Sequence, residues 1–277
     1  MSLNFKFFDV NLGNSTLIQT EKLNILFDIG TNEITSKNPL FSFNEQLDYL
    51  IITHPHHDHI SGLIDIEDKK PKTLLRNKLI PHKLINDAIE SAQSEKDKKI
   101  FEKYLELDKI YTKPTSPETN PCNPQNNGNV IINNFTPSKN DVKDLNYYSI
   151  STLFEYEGYK ILLMGDNTLS NIEELLNNIE FKQKTKNIDI LLAPHHGRIS
   201  SYKSELVDHL NPVLTIISDK SGQEEVSAVN YYSSKSIGMN VFKNGFSVER
   251  SCLTTRNDGT IYVKIENGNL FVFCEKW

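Results

Sequence analysis

THPHHDHISGL, residues 53–63, carries four histidines and an aspartate between Thr53 and His59, half of the eight histidines in 277 residues. An apolar run, QLDYLIIT (46–53), precedes it and reads as a strand that delivers Thr53 at its carboxyl end. Beyond Asp58 the apolar positions Ile60, Leu63, Ile64 and Ile66 take on a helical spacing. In chain leaving a strand, residues i and i+2 point the same way, so His54 and His56 can share one metal ion. Asp58 and His59 open the next helix and are turned toward a second position beside the first. His57 falls out of phase and is expected to face away. Imidazole and carboxylate together suit zinc, with manganese or iron as further options.

Three other strand ends carry residues of the same chemistry. ILLMGD ends in Asp166, whose carboxylate could bridge two ions. DILLAPHHG ends in the pair His195 and His196, and NILFDIG places Asp28 where it could hydrogen-bond a ligand histidine. Each is weak alone, since Gly-Asp is usually a turn and a histidine pair is often superficial. Four strand ends with metal-competent residues make a site.

The totals fit a soluble α/β or α+β protein that forms one domain over residues 1–277, with an insertion at 82–129. Apolar residues make up 38% and the net charge is −6, so no general basic face for duplex nucleic acid is expected. Cys122, Cys252 and Cys274 lack C-x-x-C spacing, and reduced thiols in a cytoplasmic protein are expected. The first fifteen residues do not read as a signal peptide, and no apolar run reaches the roughly 18 residues of a membrane span.

Along the chain, short strands fill the first fifty residues and resume at VIINNF, YSISTLFEYEG and YKILLMGD. LSNIEELLNNI, SYKSELVDHL and SAVNYYSSK read as helices, and VLTIIS as a strand. Residues 82–109 read as one or two charged helices and 112–129, with its four prolines, as a loop. That segment is expected to overhang the site and select the substrate. The tail reads as strands joined by hairpin turns at Asp258-Gly259 and Asn267-Gly268.

With these motifs the chain resembles the metallo-β-lactamase superfamily of metallohydrolases over nearly its whole length. The H-x-H-x-D-H signature is met in full by His54, His56, Asp58 and His59. Within the superfamily the sequence is most similar to the soluble domain of the ComEC/Rec2 competence proteins, through DVNLGNS (9–15), LLMGD, PHHGRISS and TTRNDGTIYV. The resemblance implies a four-layer αββα sandwich with two metals at one edge, bound by His54, His56, Asp58, His59, Asp166 and His196. Asn11 and Asn14 depart from a glycine and an aspartate of the opening motif, and Ser61 from a glycine. No histidine lies between His82 and His195, where much of the superfamily has a ligand. Asn146 matches an asparagine of the competence branch, either as a ligand or as a turn residue. His195 faces the substrate or makes a structural hydrogen bond. Arg198 contacts an anion or lies solvated at a helix start.

Two divalent ions would bring a water between them toward ionisation at neutral pH, so metal-assisted hydrolysis is the expected reaction. Asp58, His195 and Arg198 are the residues expected at the reaction itself. Branch resemblance favours a phosphodiester substrate, including nucleic acid. A lactone, thioester or lactam is the alternative, and a non-catalytic metal-bound interaction module a third.

Overall fold

The computed structural model describes residues 2–32, 34, 35, 37–139, 142–220 and 227–276. Alternation of apolar and polar residues sets its strands. In β1 (Ser2–Phe7) the side chains of Leu3, Phe5 and Phe7 are buried while their neighbours are partly exposed. The next four strands are β2 (Thr16–Gln19), β3 (Asn24–Phe27), β4 (Tyr49–Ile51) and β5 (Thr73–Leu75). β6 (Ile131–Phe135), β7 (Ser151–Tyr156), β8 (Tyr159–Leu163), β9 (Ile190–Leu192) and β10 (Leu214–Ile217) follow. The last are β11 (Met239–Lys243), β12 (Phe246–Arg250), β13 (Cys252–Thr254), β14 (Ile261–Glu266) and β15 (Asn269–Cys274).

They form a nine-stranded sheet, β12-β11-β15-β14-β1-β2-β3-β4-β5, and a six-stranded sheet, β13-β10-β9-β8-β7-β6. Ile25, Phe27 and Ile51 of the first sheet pack against Phe154, Ile161 and Ile190 of the second in the central core. Residues one position along face outward: Leu26 and Leu50 meet one helical layer, and Leu162 and Leu191 the other. Strands with both faces covered must be largely apolar on both, as ILL is; in LTII the one polar side chain, Thr215, is paired with Ser236. The result is the expected αββα sandwich.

The outer layer on the nine-stranded sheet contains α1 (His57–Ile60), α2 (His82–Ser91) and α3 (Glu95–Ile110). Ile85, Ile100, Phe101, Tyr104 and Leu107 anchor α2 and α3 there. Over Ser61–Lys69 the chain is a 3₁₀ helix rather than the α-helix its spacing suggests. Three residues per turn align Ile60, Leu63 and Ile66, all buried, on one face.

Of the two hairpins read in the tail, one exists. β14 and β15 pair antiparallel across Asn267-Gly268, both left-handed (φ 53° and 70°). Asp258-Gly259 is not a hairpin turn. β13 lies in the six-stranded sheet beside β10, β14 lies in the other sheet, and a short helix, Thr255–Asp258, carries the chain between them. Asp258 is occupied in bonds to Arg250 and to the Thr254 amide. A further hairpin, β11–β12, turns at Asn244-Gly245, both left-handed (φ 50° and 83°).

What positions the site is parallel pairing. β3 runs parallel to β4, and β8, β9, β10 and β13 run parallel in the second sheet. Their carboxyl ends therefore gather at one edge of the sandwich. The Ile150 amide donates to the Thr53 carbonyl, and the Ser218 hydroxyl to the Gly13 carbonyl, locking the two sheets together beside that edge.

Candidate metal centre

Each strand end brings one part of the cluster. Asp28 follows β3, His54 to His59 follow β4, Asp166 follows β8, and His195 and His196 follow β9. Asp28, His195 and His196 take left-handed backbone conformations (φ 58°, 50° and 54°), costly for residues with a Cβ and held here by their packing. Gly165, also left-handed, lies where a Cβ would come within 2.9 Å of the Thr53 side chain. A larger residue there would push apart the strand ends that carry Asp166 and His54.

One ligand atom each from Asp58, His59, Asp166 and His196 lies within 4.8 Å of the others. His196 Nε2 is 3.2 Å from Asp58 Oδ2 and 3.3 Å from Asp166 Oδ2, while His59 Nε2 is 3.1 Å from Asp166 Oδ1. His54 Nε2 sits 3.0 Å from His56 Nδ1 and 3.9 Å from Asp166 Oδ2. Asp166 thus stands between two groups of donors: His54 and His56 on one side, Asp58, His59 and His196 on the other.

The outward nitrogens are tied down. His59 Nδ1 donates to Asp28 Oδ2 at 2.7 Å, and His196 Nδ1 to the Ser218 carbonyl at 3.0 Å. His54 Nδ1 lies 3.1 Å from Thr53 Oγ1, which itself donates to Asp28 Oδ2. Ser149 Oγ is 3.3 Å from the same nitrogen and accepts from the Asp166 amide. These bonds turn Nε2 of His54, His59 and His196 into the cluster, the tautomer a ligand needs.

Charge follows the same geometry. Burial pushes the His54 pKa well below the ordinary histidine value, with His59 and His56 adding to it. Burial would do the same to His196, yet the Asp166 and Asp58 carboxylates outweigh it and raise the pKa to about 9. His59 is likewise held well above its usual range against burial by Asp166, Asp28 and Asp58. For Asp166, burial opposes ionisation but His196 and His59 hold the pKa well below that of an ordinary carboxylate. Imidazole nitrogens this close to carboxylate oxygens and to each other need a cation between them, protons in the metal-free chain. Replacing the protons with divalent metal satisfies the same atoms, so the donor set fits a divalent-metal site.

The other expected residues divide. His57 points its Nε2 to Asp97 of α3 at 3.0 Å, away from the metal donors, although the residue itself borders the cavity. Asn146 lies in a 3₁₀ turn, Leu145–Tyr148, where its amide is capped by Asp144. Its Oδ1 is buried, accepts no hydrogen bond among the described residues, and borders the same cavity as Asp166. A turn role and a ligand role are therefore compatible. His195 borders that cavity while its Nδ1 lies 2.7 Å from Ser201 Oγ. Arg198 Nη1 donates to His195 Nε2 at 3.2 Å, so the two act as a unit.

The cavity, about 840 Å³, opens over the cluster. None of its lining comes from residues 82–129, so the expectation that this segment overhangs the site is not met; its helices pack on the far face of the sheet. The sequence reading missed Asp219, Lys220 and Arg256, which line the cavity. Asp219 comes from the end of β10, and the strand-end rule that found Asp166 would have found it.

With the architecture and donor set in place, kinship follows. Residues 8–213 match the metallo-β-lactamase superfamily. The chain belongs to this superfamily. An uncharacterised protein of Methanocaldococcus jannaschii is 38% identical over 81 residues, 28% of this chain and 30% of that one. Among solved structures, the β-hydroxylase CmlA, studied as a mutant, gives a TM-score of 0.51 at 12% identity and covers 95% of this chain and 54% of its own. The metallo-β-lactamase-fold protein YhfI of Bacillus subtilis gives 0.47 at 13% identity, covering 89% and 99%. Among the described residues no helix is long and apolar enough to cross a membrane.

Proposed function

We propose that this chain is a dinuclear-metal-dependent hydrolase of phosphodiesters, with zinc as the resident metal. The observation that carries the reading is a cluster of Asp58, His59, Asp166 and His196, with His54 and His56 beside it, next to Arg198 and His195 at the wall of one cavity. His54, His56 and Asp166 would hold one ion, with Asn146 completing the shell, and Asp58, His59, His196 and Asp166 the other. Bound there, the ions would acidify a water and neutralise charge on the oxygens of the reacting group.

The protein's own residues do the rest. Asp28, Thr53, Ser149 and the Ser218 carbonyl fix the ligand rings, so little reorganisation accompanies reaction. Asp58 is partly exposed to the cavity and is the carboxylate that would take up a proton there. Arg198 presents a planar fork suited to two phosphoryl oxygens, and Ser201 orients the His195 ring beneath it. Similarity to the competence-protein domain supports the phosphodiester class by analogy.

The test is metal analysis followed by assay of a p-nitrophenyl phosphodiester, single-stranded DNA, cyclic nucleotides and a lactone. Roughly two divalent ions per chain and cleavage within the phosphodiester group are expected. Cleavage of the lactone alone would transfer the site to carboxyl substrates. A metal-loaded protein inert toward all of them would favour a binding module.

A further inference from the structure

The motif TTRNDGTIYV places Arg256 at the cavity wall, beside side chains that the metal cluster does not use. Arg256 Nη1 stands 3.2 Å from Asp219 Oδ2, and Asp219 is wholly buried. The two backbones are clamped as well. The Asp219 amide donates to Thr255 Oγ1 at 3.0 Å, and that hydroxyl donates back to the Asp219 carbonyl at 3.2 Å. Thr255 is wholly buried, and the Thr254 hydroxyl caps the same turn at the Asn257 amide. A guanidinium has five N–H donors, so one ion pair leaves others for the cavity. The Arg256 side chain is 28% exposed.

Charge around the cavity points the same way. Arg198, Lys220, Arg256 and Lys276 line it in a chain whose net charge is −6. The facing carboxylates are Asp9, Asp58, Asp166 and Asp219. Asp58 and Asp166 belong to the metal cluster, Asp9 pairs with Lys276 at 3.1 Å, and Asp219 braces Arg256. Once metal offsets the first two, the wall is cationic. No Phe, Tyr or Trp lines the cavity among the described residues. The wall thus lacks the large aromatic platforms on which bases commonly stack, and its four cations favour recognition through anionic groups.

We propose that Arg256, braced by Asp219, is a specificity-determining residue that binds a second phosphate of the substrate, adjoining the one at the metal cluster. The proposal rests on the phosphodiesterase reading. The second phosphate could be a terminal group on a small nucleotide or the next link of a polynucleotide.

Dithymidine monophosphate with and without a 5′-phosphate differs only in the second anion, and a longer oligothymidylate supplies it internally. Uncleavable analogues, with the bridging ester oxygen replaced by methylene, give a binding readout on the metal-loaded full chain by calorimetry. The wild type should bind the 5′-phosphorylated analogue about tenfold to a hundredfold more tightly than its partner. Arg256→Ala should erase that difference, leave the unphosphorylated analogue unchanged, and raise KM rather than lower kcat for the phosphorylated dinucleotide. Because Arg256→Ala strands a buried carboxylate, Arg256→Gln with Asp219→Asn is the companion variant and should behave alike. Rescue of discrimination by Arg256→Lys would confirm the charge. A larger Arg256 effect on the oligothymidylate than on the dinucleotide would assign the internal source, and the reverse the terminal one.

Equal loss on both dinucleotides, or no discrimination by the wild type, would overturn the proposal even if phosphodiesters are cleaved. Discrimination in binding with no cleavage of either would sustain the subsite and sink the phosphodiesterase reading.

Discussion

Asp28 and His59, 31 residues apart in sequence, meet at 2.7 Å, Oδ2 to Nδ1, with neither side chain exposed. Asp28 also accepts from the Thr53 amide and hydroxyl and from the Asn14 side chain. One carboxylate therefore fixes the end of β4, a ligand ring, and the motif that opens the chain. The opening motif serves the same contact. Gly13 is left-handed (φ 124°), and a Cβ there would lie 2.2 Å from the Asp58 carbonyl oxygen.

From this follows a metal-affinity prediction. Asp28→Asn preserves shape but weakens the acceptor for His59 Nδ1–H. Removing such a partner typically costs 10- to about 100-fold in metal affinity. Competition with a chelator should show a loss of that order, with the folded far-ultraviolet spectrum retained. Unchanged affinity would mean that the contact is structural only.

His56 and His57 are neighbours with opposite fates. His56 Nδ1 is 3.0 Å from His54 Nε2, inside the cluster, whereas His57 is paired with Asp97 at the surface of α3. Exposed pairs of this kind contribute little, about 1 kcal/mol or less. His57→Ala should keep its metal and most activity, and His56→Ala should lose at least one ion by elemental analysis. Equal losses would put the register of the ligand set in error.

These positions also show how far sequence carries. The strand-end placement of Asp28, Asp166 and His196 was legible because several apolar runs end in metal-competent residues, a coincidence that carries weight although each run alone is an ordinary strand and turn. The alternation i, i+2 separated His54 and His56 from His57 without any coordinates. Less was legible where the decision belongs to the tertiary fold. Asp258-Gly259 has hairpin chemistry, yet the parallel partner of β13 is β10, some forty residues upstream. The helices over 82–110 were readable, but no local signal says which face of a sheet a charged amphipathic helix covers. Arg256 has no role that the sequence alone can assign, since only its approach to Asp219 supplies one.

The metal-free chain has a distinctive dependence on pH. The His196 pKa rises to about 9 and that of His59 lies well above the ordinary value. Their contribution to stability is complete below the unfolded value of about 6.5 and is lost as pH rises through the folded value. For His196, wholly enclosed, this amounts to on the order of 3 kcal/mol, shared with the Asp166 and Asp58 contacts. Thermal unfolding of chelated protein should therefore shift to lower temperature between pH 6.5 and pH 9. Metal-loaded protein should not follow, because ligand binding competes with protons and strengthens as pH rises. A flat or rising profile for the chelated chain would contradict the charge state assigned to the cluster.

The last prediction separates phosphodiesters from carboxyl substrates, and it concerns Arg198 and His195. A transferring phosphoryl group spreads negative charge over three equatorial oxygens, which offers partners to cationic side chains beside the cluster. Arg198 Nη1 and His195 Nε2 lie 3.2 Å apart, and His195 Nε2 lies 3.9 Å from Asp166 Oδ2. A group seated on the cluster would thus reach both. A carbonyl under attack concentrates its charge on one oxygen, which a metal ion can hold unaided. Loss of a charge-matched donor commonly lowers turnover by about a hundredfold or more. Arg198→Ala should depress phosphodiester turnover by that order while metal content stays intact, and His195→Ala, which removes the acceptor that holds the guanidinium in place, should depress it less. Any lactone cleavage should change by less than about tenfold, one hydrogen bond's worth. Ser201→Ala, which releases the His195 ring without removing it, should fall between wild type and His195→Ala on the phosphodiester. The measurement is steady-state kinetics on both substrates, with metal quantified in the same samples. Wild-type phosphodiester rates in both alanine variants would remove these residues from the reaction and, with them, the main support for the phosphodiester reading.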